Sequence, residues 1–81
     1  MVVIPNPFRE KFTIKFNLEK EYEVEINLLN VNGQLIFKDK INGLESENSY
    51  QYTDQKNLPP GNYILRIIAG DKAETRKLVK Q

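Results

Sequence analysis

The stretch that most constrains the fold of this chain is residues 58–67, Leu-Pro-Pro-Gly-Asn-Tyr-Ile-Leu-Arg-Ile. Neither Pro59 nor Pro60 has an N–H group to donate to a sheet, so a strand cannot begin before Gly61. Glycine accepts backbone conformations that are closed to other residues. From Tyr63 onward, the residues alternate between two faces of a predicted strand. One face is entirely apolar and the other is mostly apolar, which is typical of a strand inside a sheet. The stretch therefore predicts a tight turn that leads into a central β-strand.

Tyr63 stands near the start of this strand, just after the turn. In immunoglobulin-like sandwiches, a tyrosine at such a corner uses its hydroxyl to bond back to the main chain upstream. We therefore expect a hydrogen bond of this kind from Tyr63, and a backbone conformation at Gly61 that valine could not share without strain. Taken alone, the stretch is best interpreted as a device of the fold rather than as a binding site.

The rest of the chain consists of short segments in which apolar and polar residues alternate, as in half-buried strands. With no convincing helix, six or seven such strands predict an all-β fold: an immunoglobulin-like antiparallel β-sandwich with Greek-key-like connections. A β-barrel is the alternative. The predicted strands are residues 2–4, 11–17, 22–28, 34–41, 49–53, 63–68 and 73–80, with the first and last at sheet edges. The expected core residues are Phe12, Ile14, Phe16, Val24, Ile26, Leu28, Leu35, Tyr63, Leu65 and Ile67, with Phe8 at one end of the core.

Turn signals separate the predicted strands. Asn32-Gly33 predicts a type I′ hairpin, because both residues accept a positive φ angle. Asn42-Gly43 and Gly70-Asp71 predict two further turns, and residues 44–49 are expected to form a loop. Asp39 falls on the apolar side of its strand, which predicts that the strand either forms a β-bulge or leaves the core at that position.

Residues 50–57 allow more than one interpretation. Tyr50 and Tyr52 lie on one face of a predicted strand, where they either cover the sheet or form a stacking pair for a sugar. Residues 54–57 are expected to form a single helical turn before the corner at Leu58.

The composition argues against a catalytic or metal centre. The chain contains neither Cys nor His, which removes the usual nucleophile–base pairs and most transition-metal sites. It has no Gly-rich phosphate loop and no EF-hand-like loop. Twelve basic and eleven acidic residues are interspersed, without the concentrated basic face that a nucleic acid would need. We therefore expect no catalytic residue, no metal site, no cofactor and no hydrolase activity.

The length of 81 residues corresponds to a single domain, residues 1–81. No segment approaches the roughly 18 apolar residues of a membrane-spanning helix. The first residues lack the basic region and the cleavage site of a signal peptide. Met1 stands directly before a strand-like triplet, so we expect this domain to be a part excised from a larger secreted protein.

Four motifs, in this order, resemble those of one known family. Its opening motif matches residues 5–8, its strand–turn–strand signature around a glycine resembles residues 28–36, its Leu-Pro-x-Gly-x-Tyr motif matches residues 58–63, and its basic and apolar ending matches residues 77–80. The chain thus resembles, over nearly its whole length, the C-terminal sorting domain of cargo proteins of the type IX (Por) secretion system. The residues that this resemblance singles out for sorting are Pro5, Asn6, Pro7, Gly33, Leu58, Pro59, Gly61, Tyr63, Lys77, Leu78, Val79 and Lys80.

This resemblance implies a sorting signal and not an enzyme. It implies that the cargo enters the periplasm by an ordinary N-terminal signal, and that translocon and shuttle proteins at the outer membrane then recognise the folded domain. A surface sortase usually removes the domain, and the cargo is secreted or stays at the cell surface. We expect no nucleic-acid partner and no transmembrane segment, and we expect a monomer.

Two other functions stay open on the sequence alone. A generic immunoglobulin-like spacer or a carbohydrate-binding module of a secreted enzyme would share the fold, but would present an aromatic platform or a calcium loop. A small adhesin-type structural domain is the third possibility. The sorting interpretation makes a distinct prediction: charge reversal of Lys77 and Lys80, both expected to be exposed, blocks export and leaves the fold nearly intact.

Overall fold

The fold consists of seven β-strands, in a computed structural model that describes all of residues 1–81. The predicted all-β class is confirmed, whereas the helical turn expected at residues 54–57 is wrong. No helix of a length and apolarity that would span a membrane is present. The strands are β1 (Val2–Ile4), β2 (Lys11–Leu18), β3 (Tyr22–Asn30), β4 (Leu35–Gly43), β5 (Ser46–Thr53), β6 (Gly61–Ala69) and β7 (Lys72–Lys80).

The strands form two antiparallel sheets. The three-stranded sheet has the order β1-β2-β5, and the four-stranded sheet has the order β4-β3-β6-β7. The connections β2–β3, β4–β5 and β5–β6 cross from one sheet to the other, as in a Greek-key sandwich. The predicted turn at Gly70-Asp71 is confirmed as a two-residue loop between β6 and β7. As predicted, β7 forms an edge of its sheet.

Apolar side chains from both sheets form one core. All of the predicted core residues except Leu35 are buried, including Phe8 at one end. The ring of Phe12 meets that of Phe8 edge-on, with centroids 4.9 Å apart, and stacks on that of Tyr52 at 5.1 Å. Tyr52, Leu58 and Leu78 complete the core.

Leu35 is 53% exposed because a β-bulge follows it in β4. The register between β3 and β4 shifts after Leu28, which leaves Ile36 as the extra residue. An extra residue inverts the alternation of a strand. Ile36 and Phe37 therefore both pack against the core, and Leu35 turns outward. The bulge predicted at Asp39 is wrong, since this residue pairs regularly within the sheet.

The carboxylate of Asp39 finds its partner in the opposite sheet. The Tyr50 hydroxyl donates to Asp39 Oδ2 at 2.6 Å. Burial, and then this hydrogen bond, raise the pKa of the Tyr50 phenol above its usual value. Tyr50 and Tyr52 share one face as predicted, and that face packs against the core. The pair therefore covers the sheet and does not form an exposed platform for a sugar.

The hairpin between β3 and β4 forms as predicted, but its turn is not of type I′. Gly33 has a φ of 81°, whereas Asn32 does not have a positive φ. The Gly33 N–H donates to Asn30 O at 3.0 Å, and the Asn30 N–H donates to Gln34 O at 3.0 Å. This pattern belongs to a type I turn followed by a left-handed glycine, the arrangement of three-residue hairpin loops.

Asn42-Gly43 is not the predicted turn, because both residues lie within β4. A Cβ atom at Gly43 would come within 2.5 Å of Leu18 Cδ1 and 2.8 Å of Val24 Cγ2. Close packing between the sheets, and not a turn, therefore requires this glycine. The loop predicted at residues 44–49 is also wrong beyond its first two residues, since β5 already begins at Ser46.

Candidate functional site

The four motifs identified in the sequence lie together at one end of the sandwich. We call this the motif end, and it consists of residues 5–8, 30–34, 58–63 and 77–81. Asn30 pairs with Tyr63, and Tyr63 pairs with Leu78. The hairpin around Gly33, the start of β6 and the end of β7 are therefore neighbours. The opening motif joins them through a parallel bridge between Phe8 and Lys80.

Tyr63 forms the corner that the sequence predicts. Its hydroxyl donates to Pro59 O at 2.5 Å, and its ring is buried. Gly61 has a φ of 147°, in a region that other residues rarely adopt, although no atom lies within 4 Å of an added Cβ. The backbone conformation, and not a lack of space, therefore requires glycine here. Leu58 is buried in the core and anchors the other end of the corner.

The opening motif docks on the outer edge of β7. The Asn6 side chain behaves there like a peptide group: Nδ2 donates to Lys77 O at 3.0 Å, and Oδ1 accepts from the Val79 N–H at 3.0 Å. The Phe8 N–H donates to Val79 O, and the Gln81 N–H donates to Phe8 O, both at 2.9 Å. The Phe8 ring, 1% exposed, anchors this segment in the core.

Pro5 and Pro7 flank Asn6 in the docked segment, and both residues are exposed. The peptide bonds that precede them are cis. Because proline has no N–H group, a further strand finds no donor at either position. The segment therefore covers the edge of β7 without creating a new edge beside it.

The two lysines of the last motif have different surroundings. Lys77 is exposed on the outer face of the four-stranded sheet. Lys80 has a side chain that is only 12% exposed, with Nζ 3.9 Å from Oδ2 of Asp54, whose side chain is 4% exposed. The expectation that both lysines are exposed is thus wrong for Lys80, whose ion pair ties the end of β7 to the β5–β6 connection. Leu78, between the two lysines, is fully buried, and Val79 is half-buried.

Asp54 holds the connection before the corner through hydrogen bonds to its main chain. This role was not predicted from the sequence. Its Oδ1 accepts from the Lys56 N–H at 3.1 Å, and its Oδ2 accepts from the Leu58 N–H at 2.9 Å. Its own N–H donates to Glu10 O at 2.7 Å. Burial raises the pKa of the Tyr52 phenol, and the nearby charge of Asp54 raises it further. An aspartate shortly before a proline-rich corner could have indicated this role, because aspartate side chains often form hydrogen bonds to the backbone two residues further along the chain.

A shallow depression on the outer face connects three of the motifs. It is lined by Val31 of the hairpin, by Asn62 and Ile64 of β6, and by Lys77 of β7. Val31 is one of the most exposed large apolar side chains of the domain. The depression therefore combines an apolar surface with a basic side chain at its rim. Nowhere in the structure do three or more His, Cys, Asp or Glu side chains form a group that could hold a metal ion.

A second polar group lies nearer the middle of the same outer face. The buried Asn27 donates from Nδ2 to Glu25 Oε2 at 3.0 Å. This bond, followed by the hydrogen bond and charge of Lys38, lowers the pKa of the Glu25 carboxyl. Asn27 Oδ1 has no hydrogen-bond partner. These residues lie outside the motif end.

Comparison with known proteins relates the motif end to a function. No curated protein matches the chain. The family described as "Secretion system C-terminal sorting domain" matches residues 2–81, a range that contains all four motifs. Domains of this family are sorting signals of type IX secretion, which direct the attached protein to the cell surface or the medium, and the family is not a catalytic one. With this match over nearly its whole length, the chain belongs to the secretion system C-terminal sorting domains.

Proposed function

We propose that the motif end is the surface through which the type IX secretion machinery recognises this sorting domain. The observation that supports the proposal is the convergence of segments that are far apart in the sequence. Strand pairing and the Phe8–Lys80 bridge bring all four motifs to one end of the sandwich. A fold that served only as a spacer would not require the exposed motif residue Lys77, which forms no ion pair.

Within the motif end, burial separates supporting residues from those that a partner can touch. The supporting group includes Phe8, Leu58, Tyr63, Leu78 and the ion-paired Lys80. The accessible group consists of Pro5, Pro7, Lys77 and the half-buried Val79, together with the rim of the depression at Val31, while Asn6, whose side chain is bonded to the edge of β7, belongs to neither group. We infer that the residues of the accessible group contact the partner, and that the residues of the supporting group hold them in position.

In this proposal the domain only binds, and the machinery supplies the chemistry. A cargo, attached upstream as part of a larger protein, reaches the periplasm, where the monomeric domain 1–81 presents the motif end to translocon and shuttle proteins of the outer membrane. A surface sortase then removes the domain. Because β7 is an edge strand, a partner strand can pair with it through main-chain hydrogen bonds, the mode known as β-augmentation.

The test is export of a fluorescent reporter that carries an N-terminal signal peptide and this domain at its C-terminus. The reporter is expressed in a host with type IX secretion and in the same host without it. We expect surface or extracellular fluorescence only in the first host. Lys77→Glu should abolish this export, while the melting temperature of the purified variant changes little, since exposed substitutions usually alter stability by no more than about 0.5 kcal/mol.

Lys15→Glu is the matched control. Lys15 is an exposed strand lysine without an ion pair, but it lies on the other sheet and away from the motif end. The control should be exported like the original domain. Normal export of Lys77→Glu would contradict recognition through this surface, and a domain that is not exported at all would contradict its sufficiency as a signal.

A further inference from the structure

The edge that the proposed function assigns to a partner is already occupied in part. Along the outer edge of β7, the main-chain groups of Lys77, Val79 and Gln81 bond to Asn6 and Phe8. Earlier in the same strand, the corresponding groups of Ala73 and Thr75 have no main-chain partner. The edge therefore has no main-chain cover in its first half, where the Arg76 side chain donates to Thr75 O, and is covered in the half that carries the sorting motif.

The cover has one fixed part and one movable part. Phe8 is fixed, because its ring is buried and contacts Phe12. Asn6 is exposed, and only its side chain bonds to β7. Exposed side chains change rotamer on a timescale of picoseconds to nanoseconds. A rotation of the Asn6 side chain therefore frees Lys77 O and the Val79 N–H.

We propose that Asn6 is a displaceable guard of the recognition edge. In the free domain it occupies Lys77 O and the Val79 N–H, and in the complex it gives both groups to a strand of the secretion machinery. The inference rests on the proposed function, because it requires a partner that pairs with β7. Since the Asn6 amide uses one N–H donor and one carbonyl acceptor at this edge, the same pair that a peptide group offers, one peptide unit of the incoming strand can replace both bonds.

The same geometry limits the kind of partner. The replacing peptide unit must carry an N–H group, so the partner strand has no proline at this position. Lys77 lies beside the exchanged bonds and is exposed, which favours an acidic side chain on the partner. The occupant is therefore an extended, acidic strand that pairs with the edge at Lys77 and Val79.

A guard of this kind also explains why asparagine stands between two prolines. An uncovered, regular edge strand pairs readily with other copies of itself. The Asn6 side chain bonds to main-chain groups at the edge of β7. Pro5 and Pro7 have no N–H group, so the docked segment does not itself become an edge with which another strand could pair. Aspartate in place of asparagine would keep the acceptor for the Val79 N–H but would have no donor for Lys77 O.

The first experiment measures hydrogen–deuterium exchange of the isolated domain by NMR. Asn6→Ala should accelerate exchange of the Val79 N–H by at least about tenfold, because the amide loses its acceptor and opens to solvent. The Leu78 N–H, which faces β6, should keep its rate. Asn6→Asp should leave the Val79 N–H slow. The matched control is Asn42→Ala, at an exposed strand asparagine whose side chain makes no hydrogen bond.

The second experiment places Asn6→Ala in the reporter assay, with expression high enough that the translocon limits export. With the guard in place, only the fraction of domains whose edge is free can bind a partner, and the apparent affinity is lowered accordingly. Removal of the guard should therefore raise the export rate several-fold. Unchanged or reduced export by a variant whose Val79 N–H exchanges rapidly would overturn the proposal, as would an unchanged exchange rate. Failure of the proposed function is a separate outcome, because it appears as absent export of the unsubstituted domain or as normal export of Lys77→Glu.

Discussion

At the scale of single residues, polar side chains complete the main-chain hydrogen bonding wherever the sheets end. Tyr63 donates to Pro59 O, Asp54 accepts from the Leu58 N–H, and Asn6 bonds to two main-chain groups of β7. Main-chain groups that a turn or a proline leaves without a partner must find one elsewhere, since an unpaired buried group is costly. The motif residues are therefore tied to particular backbone atoms, and conservative substitutions should have measurable effects.

Tyr63→Phe should lower the free energy of unfolding by about 1 kcal/mol, the usual net value of a hydrogen bond in a folded protein. The substitution removes the bond to Pro59 O and leaves the buried ring in place. Urea unfolding measures the change. Tyr22→Phe is the control, because the Tyr22 hydroxyl forms no hydrogen bond within the domain. Equal effects of the two substitutions would show that the corner bond does not contribute to stability.

Gly61→Val should lower the free energy of unfolding by about 1–3 kcal/mol, the cost of holding one residue in a sparsely populated backbone region. The strain comes from the φ of 147°, since no neighbouring atom obstructs the new side chain. Asn62→Val, at the next position of β6, should have little effect because the backbone there is ordinary strand. Urea unfolding with no difference between the two variants would argue against strain at Gly61.

At the scale of the elements, β7 has two ends with different environments. Along its outer edge, away from β6, the first residues have no main-chain partner, whereas the last residues are bonded to the opening motif. Lys77 and Lys80, three residues apart, fall on opposite faces of the strand, and only Lys77 is exposed. Charge reversal at the two positions therefore tests different properties.

Lys80→Glu should lower the free energy of unfolding by about 3 kcal/mol, the lower end of the range for removing one partner of a buried ion pair. The substitution places a second carboxylate next to the largely buried Asp54. Lys77→Glu should change the same quantity by no more than about 0.5 kcal/mol. Thermal and urea melts of both variants provide the comparison, and the reverse order of effects would contradict the ion pair as described.

The partial burial of Tyr50 of β5, together with its bond to Asp39 of β4, predicts a dependence of stability on pH. In an unfolded chain the tyrosine pKa is about 10, and the folded environment raises the pKa of Tyr50. A raised folded-state pKa means that the stabilisation is complete below about pH 10 and is lost as the pH rises through the folded value. Tyr50→Phe should flatten the fall in the free energy of unfolding above pH 10. An equally steep fall in the variant would assign the effect to other tyrosines.

Alternation along the chain was enough to predict the strands, but not the details that depend on pairing between them. The bulge at Ile36 is a property of the pairing between β3 and β4, and the type of the turn at Gly33 could not be chosen from the Asn-Gly pair alone. Gly43 was predicted to be a turn glycine, because the contact that requires it, with Leu18 of the other sheet, is not visible in the local sequence. Residues 46–49 are polar and thus resembled a loop, although they form the start of an edge strand.

At the scale of the whole molecule, the motifs could be predicted from the sequence but their meeting point could not. The order of strands in the four-stranded sheet decides that Asn30, Tyr63 and Leu78 lie side by side. The docking of Asn6 on β7 depends on a contact between residues 71 positions apart, and local patterns carry no information on such a contact. The ion pair of Lys80 has the same origin, since Asp54 lies in the connection to the corner.

Because both ends of the domain are anchored in the core, substitutions near the ends should be unusually harmful. Phe8→Ala should lower the free energy of unfolding by about 3–5 kcal/mol and Leu78→Ala by about 2–5 kcal/mol, as for other fully buried side chains. Residues near chain ends are usually tolerant, so the contrast is informative. Val2→Ala, at an exposed position of β1, is the control. Small effects of Phe8→Ala in urea unfolding would mean that the opening motif is only loosely attached.

The bridge between Phe8 and Lys80 also sets the order of events for a chain that emerges from a ribosome or a membrane channel with its N-terminus first. Residues that arrive early must wait for their partners, because the main-chain partners of Phe8 and the edge that Asn6 covers are supplied by Lys77 to Gln81. Closing a loop of this length is entropically expensive and slows folding relative to a chain with local contacts. The domain therefore completes its sheet, and with it the motif end, only after residue 81 has emerged.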